Sequence, residues 1–266
     1  DALQPPGLAT RLSASWRAAL CSLAMLLALL VWLDRQGIGL AARALLPLVP
    51  TSLDKQIGDQ VERQLAGHWI LHSRLSASRS AALQGRFQAI ADRVFPGLYP
   101  RVVFCRIKGG DVFNAFALPN GALFVTDEMA QALSDDQIMA VLAHEAGHVL
   151  HRHAMRRLIE GVGLIAVAQV ALNDYSGLAS TSLATLQSLR YSRDAEREAD
   201  GDAHRMITRE SLPADTLAGV WRTLERRPHA SAGTDVPVWL STHPGPEERI
   251  ESAMKAAAAA SAARAR

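Results

Sequence analysis

The stretch 141–153, VLAHEAGHVLHRH, constrains this chain more than any other. A helix advances about 100° per residue, so His144 and His148 stand about 40° apart on neighbouring turns, where two imidazoles can grip one ion. Glu145 lies beside them and borders the apolar stripe Ile138, Val141, Leu142 and Val149. A carboxylate at the edge of a core is costly unless it has a task. Ser134, Asp135 and Asp136 precede the stretch and suit a helix start, placing an N-cap oxygen and negative charge at its positive end.

His144, Glu145 and His148 form the pattern H-E-x-x-H, in which the two imidazoles bind zinc and the glutamate serves as general base. Five residues can also match by chance on an amphipathic helix, so the rest of the chain must decide. The metzincin extension is excluded: it needs Gly and His three and six residues after His148, where His151 and Ala154 stand. His151 and His153 therefore read as a polar helix end, with His151 the better spare ligand because it lies near the His144 face.

With 266 residues, 49% of them hydrophobic, and a formal net charge of +2, the chain can bury a core in one domain or at most two. The near balance of charge leaves no basic face for nucleic acid, which is set aside as a partner. Cys21 and Cys105 are far apart in apolar surroundings, so neither a disulfide framework nor a thiolate metal site is implied.

Residues 18–33, AALCSLAMLLALLVWL, carry no charge and are bracketed by Trp16 and Trp32, which suggests one membrane span over about 17–33. The run is short, so a signal-peptide core or a buried helix stays open. Arg11 and Arg17 before it nearly balance Arg35 and Arg43 after it, so charge barely selects an orientation. The expected organisation is an N-terminal membrane segment over 1–46, a folded domain over 47–254 and an Ala-rich tail over 255–266. Within the domain, polar amphipathic helices are expected over 53–68 and 73–94, a strand over 101–107, and a hairpin turning at Pro119, Asn120 and Gly121. Residues 161–172 are apolar but too few to span a bilayer, and read as a core or membrane-resting helix.

A second cluster comes at YSRDAEREADGDAHRM. Glu196 and Asp200 are four apart on an expected helix, with Ala199 and Ala203 making a smooth face that another helix could approach closely. A catalytic zinc takes three protein ligands, and His, His, Glu is an established set, so Glu196 suits the third position. Asp200 suits a supporting place, accepting the N–H of a ligating imidazole. A solvated charged face is the alternative, since Arg193, Asp194, Arg197 and Glu198 are interspersed, and Glu198 and Asp202 are competing acids.

HEAGH, the downstream SRDAEREAD and the later STHPGPEERI together resemble the HtpX and BepA type of zinc metallopeptidase, the gluzincin family that also holds CAAX prenyl proteases and the Oma-type mitochondrial quality-control protease. The resemblance covers about residues 114–250. It implies an α+β, mainly helical, zincin-like domain with a small sheet, and one zinc ion held by His144, His148 and Glu196. It also implies Glu145 as the base, Asp200 as the second acid of the E-x-x-x-D motif, and Asn114, Ala115 and Phe116 as a substrate-side strand. His243 and Arg249 match positions near the zinc in that family: His243 either closes the resting site as an extra ligand or donates to the oxyanion, and Arg249 is a donor or a clamp. The plainer reading of that segment is a turn at His243 and Pro244, with Arg249 pairing to Glu247 or Glu248. CAAX prenyl proteases have many spans and BepA-like members carry helical repeats, whereas this chain has one candidate span and ends in KAAAAASAARAR. The resemblance implies a single-pass membrane endopeptidase for misfolded or membrane-associated polypeptides, periplasmic in a bacterium. A zinc-holding adaptor that binds extended chains without cutting them, and a metal-free membrane protein, are the alternatives. Oligomeric state is not legible.

Overall fold

The computed structural model describes residues 16–32, 37–162, 172, 190–226, 243, 248–255 and 258. Its frame is a four-stranded mixed sheet of β1 (Ile70–His72), β2 (Arg101–Ile107), β3 (Ala115–Ala117) and β4 (Ala122–Thr126), in the order β1-β2-β4-β3. β2 and β4 run parallel with Val102 opposite Leu123, while β1 and β3 pair antiparallel at the two edges.

Both faces of the sheet are covered, which is why β4, ALFVT, is buried throughout and apolar up to Thr126 rather than alternating. Val102, Phe104, Leu123 and Val125 face one core with Leu83, Phe87 and Ile90 of α4 (Ala77–Val94). Cys105, Ile107, Ala122 and Phe124 face another with Leu53, Ile57 and Val61 of α3 (Thr51–His68), which follows α2 (Ile38–Leu45) and a 3-10 turn at Leu46–Leu48. Each fully buried side chain of this kind stabilises the fold by about 1.5–3 kcal/mol before entropy is counted.

The hairpin forms where the turn residues suggest. Leu118 N donates to Ala122 O at 2.9 Å and Gly121 takes φ +85°, a conformation open to glycine. Asn120 then ties the turn to α3, its Nδ2 donating to Asp59 Oδ1 and Glu62 Oε2, both at 2.9 Å.

After the short α5 (Asp127–Ala132), α6 (Asp135–Leu150) carries the HEAGH segment. Ser134 caps it: its Oγ accepts from Gln137 N at 3.3 Å, and its own N–H donates to Gln137 Oε1 at 3.0 Å. The helix stops at His151 because Arg152 takes φ +52°, which costs a non-glycine residue roughly 1–2 kcal/mol. Asp54 offsets that cost by accepting from Arg152 Nε at 3.1 Å and Nη2 at 2.6 Å. The chain then re-enters helix as α7 (His153–Val162).

α8 (Arg193–Arg209) packs along α6 at close range. A Cβ on Gly147 would meet Ala199 Cα at 3.0 Å and Asp202 Oδ2 at 2.8 Å, so the small residues on both faces bring the helix axes together. α9 (Thr216–Glu225) and α10 (248–255) close the same side.

Several expectations need correction. α4 begins at Ala77 rather than residue 73, because Ser73 Oγ and Arg74 N both donate to Asp127 at 2.6 Å and Ser76 becomes the N-cap. α3 begins at Thr51, directly after Pro50, and β1 was not foreseen. The expected membrane span is not found: α1 (Trp16–Trp32) has 17 residues, about 25 Å at 1.5 Å each, against about 30 Å of hydrocarbon. Among the described residues no helix is long and apolar enough to cross a membrane. The apolar helix expected over 161–172 falls largely outside the described residues, as do Pro244, Glu247 and most of the Ala-rich tail.

Candidate metal centre

α6 delivers His144 and His148 to the α8 interface, and α8 delivers Glu196 to the same point; His243 enters from beyond α9. All four are buried to within 2% of complete enclosure. His148 Nε2 lies 3.1 Å from His144 Nε2, and His144 Nε2 lies 3.3 Å from His243 Nδ1. Glu196 Oε2 is 3.5 Å from His144 Nε2, while Glu196 Oε1 is 3.7 Å from His148 Nε2 and 3.0 Å from His243 Nδ1. Four donors around a tetrahedral zinc at its usual bond lengths stand about 3.3 Å apart, so these spacings fit such an ion.

The electrostatics fit a cation as well. Burial drives the His148 and His243 imidazoles well below the ordinary histidine range, so both are neutral and present lone pairs. Burial also pushes the Glu196 carboxyl up to about 7, against the pull of Arg249 and His144. A buried carboxylate among neutral imidazoles gains most from a divalent positive charge.

Each ring is held from behind. His144 Nδ1 donates to Asp200 Oδ1 at 3.0 Å, leaving Nε2 to face the other donors. Burial alone would raise the Asp200 carboxyl, but Arg249 and His144 together hold it well below the usual carboxylate range. The face of the His148 ring stacks on Tyr191, with centroids 4.0 Å apart and planes within 15°. Burial first, and Glu145 second, push the Tyr191 phenol far above its ordinary range, so it stays a neutral O–H.

Glu145 is 1% exposed, and its Oε1 lies 3.6 Å from His243 Nε2. Arg249 reaches Asp200, Glu196 and the Trp221 face, with its guanidinium carbon 3.7 Å from the ring centroid. The sequence therefore named seven residues that the fold does bring together: His144, Glu145, His148, Glu196, Asp200 and, across the longest separation, His243 with Arg249 beside it.

Other expectations are redirected. His151 is no spare ligand: its Nε2 turns to Asp202 at 2.8 Å, and Asp202 also pairs with Arg205. Glu198 faces outward to His153. His153, read as part of a polar helix end, is fully buried against His148. Tyr191 and Trp221 went unread because a lone aromatic carries no periodic signal. Of the substrate-side strand, Asn114 has its backbone N and O engaged by Thr126, at 3.0 Å and 3.0–3.1 Å. Ala115 and Phe116 open β3, which is an edge of the sheet and contacts α6. Phe116 stacks on Phe124 at 4.9 Å.

Two imidazoles from an H-E-x-x-H helix, a carboxylate from a second helix and a glutamate beside them define a zinc metalloprotease. Residues 77–257 match Peptidase family M48, and the chain belongs to that family, which uses zinc. The metalloprotease YcaL of Escherichia coli (strain K12) is 27% identical over 183 residues, covering 66% of this chain and 70% of YcaL. The mitochondrial metalloendopeptidase OMA1 of Homo sapiens is 28% identical over 170 residues, covering 59% of this chain and 32% of OMA1. The metalloprotease LoiP of the same E. coli strain is 26% identical over 145 residues, covering 52% of this chain and 56% of LoiP. The chain thus spans well under two thirds of OMA1 and of LoiP.

Proposed function

We propose that this chain is a membrane-tethered zinc endopeptidase that cuts extended segments of misfolded or membrane-associated polypeptides, with its peptidase unit over 47–254 and its N-terminal segment as the tether. The single observation that carries the proposal is the buried Glu145 standing beside the converging His144, His148 and Glu196 donors. In this reading those three hold the zinc. When bound, zinc polarises a scissile carbonyl and makes water more acidic. Glu145 takes the proton from the attacking water and delivers it to the leaving amine. Asp200 keeps the His144 proton on Nδ1, and Tyr191 fixes the plane of His148. The edge of β3 offers main-chain groups to an extended substrate, beginning at Ala115 rather than Asn114.

His243 is read here as the gate rather than an oxyanion donor. Its Nδ1 sits among the other donors, 3.3 Å from His144 Nε2, where a fourth protein ligand would close the resting site. Arg249 is read as a clamp, since its guanidinium is turned to Asp200, Glu196 and Trp221. The tether rests on α1, where Leu20, Leu23, Met25, Leu26, Leu27 and Leu29 are each more than half exposed. A lipid phase would cover that surface. Retention of the full chain in the membrane pellet through alkaline carbonate washing is the expected result, and recovery in the supernatant would remove the tether.

Incubating the detergent-purified chain with unfolded casein, with zinc and with a chelator, tests the activity. Cleavage that the chelator abolishes supports the proposal; casein binding without cleavage at saturating zinc favours a non-cleaving adaptor.

A further inference from the structure

We propose that His153, held by Glu198, is a positioning residue that sets the tautomer and ring angle of His148 and thereby governs how firmly the centre retains its metal. The inference rests on the reading that His148 ligates zinc through Nε2.

The geometry starts from the two nitrogens of His148. Nε2 faces the other donors, while Nδ1 turns away and lies 2.8 Å from His153 Nδ1. A ligating Nε2 must offer a lone pair, so the single ring proton of a neutral His148 sits on Nδ1 and is donated. His153 Nδ1 must then accept. Its own proton is left on Nε2, which lies 2.8 Å from Glu198 Oε2 and donates to that carboxylate. One assignment of protons satisfies every atom in the series, and it is the assignment that frees Nε2 of His148 for metal.

The backbone is shaped to make this contact. On a continuous helix, residue 153 would stand about 140° round from His148 and point elsewhere. The left-handed turn at Arg152, φ +52°, breaks the helix and brings His153 back under the His148 ring. Arg152 is held there by three hydrogen bonds to two partners: Asp54 accepts from Nε and Nη2, and Leu46 O accepts from Nη1 at 3.0 Å.

The two ligating imidazoles are thus supported differently. His144 donates directly to the charged Asp200 carboxylate, whereas His148 donates to an imidazole. The His148 series also reaches solvent, because the His153 side chain is 0% exposed and that of Glu198 is 42% exposed. Supporting partners of this kind typically alter metal affinity by about 10- to 100-fold.

Zinc transfer from the loaded full-length chain to a chromogenic chelator, and the visible spectrum of the cobalt-substituted chain, test the proposal without relying on activity. His153→Phe keeps a buried ring but cannot accept from His148, and is expected to release zinc about 10- to 100-fold faster with a shifted cobalt spectrum. His153→Gln retains an acceptor and a donor, and is expected to recover much of the wild-type retention. A purely structural role would not discriminate between these two. Glu198→Ala, at a side chain 42% exposed that also pairs with Arg156 at 3.8 Å, is expected to speed zinc release several-fold in the same direction, with the native fold checked by circular dichroism. Wild-type release and spectrum in Glu198→Ala, together with equal release from His153→Phe and His153→Gln, would overturn the proposal, and Glu198→Ala decides alone if the His153 variants do not fold. His148→Ala separates the two layers: full zinc retention there defeats the ligand assignment, while its loss alongside unchanged His153 and Glu198 variants defeats only the positioning role.

Discussion

Arg249 grips Asp200 through two parallel hydrogen bonds, Nε to Oδ2 at 2.7 Å and Nη2 to Oδ1 at 2.6 Å. The same Asp200 oxygen that accepts from Nη2 also accepts from His144 Nδ1, so the guanidinium, the carboxylate and the imidazole form one rigid series. Arg249 Nη1 adds a 2.6 Å ion pair to Glu196 Oε2. α10, late in the chain, thereby braces donors supplied by α6 and α8.

Removing one member of that buried series leaves a charge behind. Arg249→Ala is expected to destabilise the fold by about 3–5 kcal/mol in urea denaturation, because Asp200 loses its counter-ion in a dry site. Arg249→Lys should recover little, since an ammonium cannot make the paired contact or lie flat on Trp221. Wild-type stability in either variant would show that the clamp is dispensable.

His243→Ala is expected to keep zinc, because His144, His148 and Glu196 remain, and to raise casein cleavage by opening the fourth position. A fall of about 10²-fold with zinc still bound would instead make His243 an oxyanion donor.

Helical spacing made most of this centre legible. His144 and His148, like Glu196 and Asp200, are four apart, and Ala199 and Ala203 announced a close helix pair. Ser134 with Asp135 and Asp136 marked where α6 begins, and RVVFCRI marked β2 residue for residue. His153 was not legible, because five residues on from His148 points away from it unless the helix ends first. That ending depends on Asp54, 98 residues from Arg152 in sequence, and no local pattern reports it. The start of α4 was misplaced for the same reason: Asp127 captures Ser73 and Arg74 from across the sheet. The apolar run does form a helix as far as Trp32, but among the described residues it does not reach the length of a span.

Gly58 tests the contact between α3 and the hairpin. A Cβ there would meet the Asn120 backbone N at 2.4 Å, and backbone cannot yield cheaply. Gly58→Ala should cost about 1–3 kcal/mol despite the better helix propensity of alanine. An unchanged or raised melting temperature would contradict that packing.

Thiol labelling tests the core on the other face of the sheet. Cys21 is exposed, whereas Cys105 is 1% exposed, and burial, aided by Asp127 and Glu128, pushes its thiol up to about 12. At pH 8 the Cys105 thiol stays protonated, so a disulfide reagent should leave Cys105 unmodified in the native chain and modify it in guanidinium. Because Cys105 is closed to solvent and its thiol is still mostly protonated at pH 10, raising the pH that far should leave it unmodified in the native chain. Native labelling of Cys105 at pH 8 would show that β2 is not packed as described.

The most direct measurement is zinc content and casein turnover of Glu145→Gln beside the wild type, in the same detergent and at saturating zinc. The expected result is wild-type zinc occupancy with turnover reduced by about 10²-fold or more, since the substitution removes the proton carrier and leaves His144, His148 and Glu196 in place. Wild-type turnover by a zinc-loaded Glu145→Gln chain would contradict the assignment of Glu145 as the base.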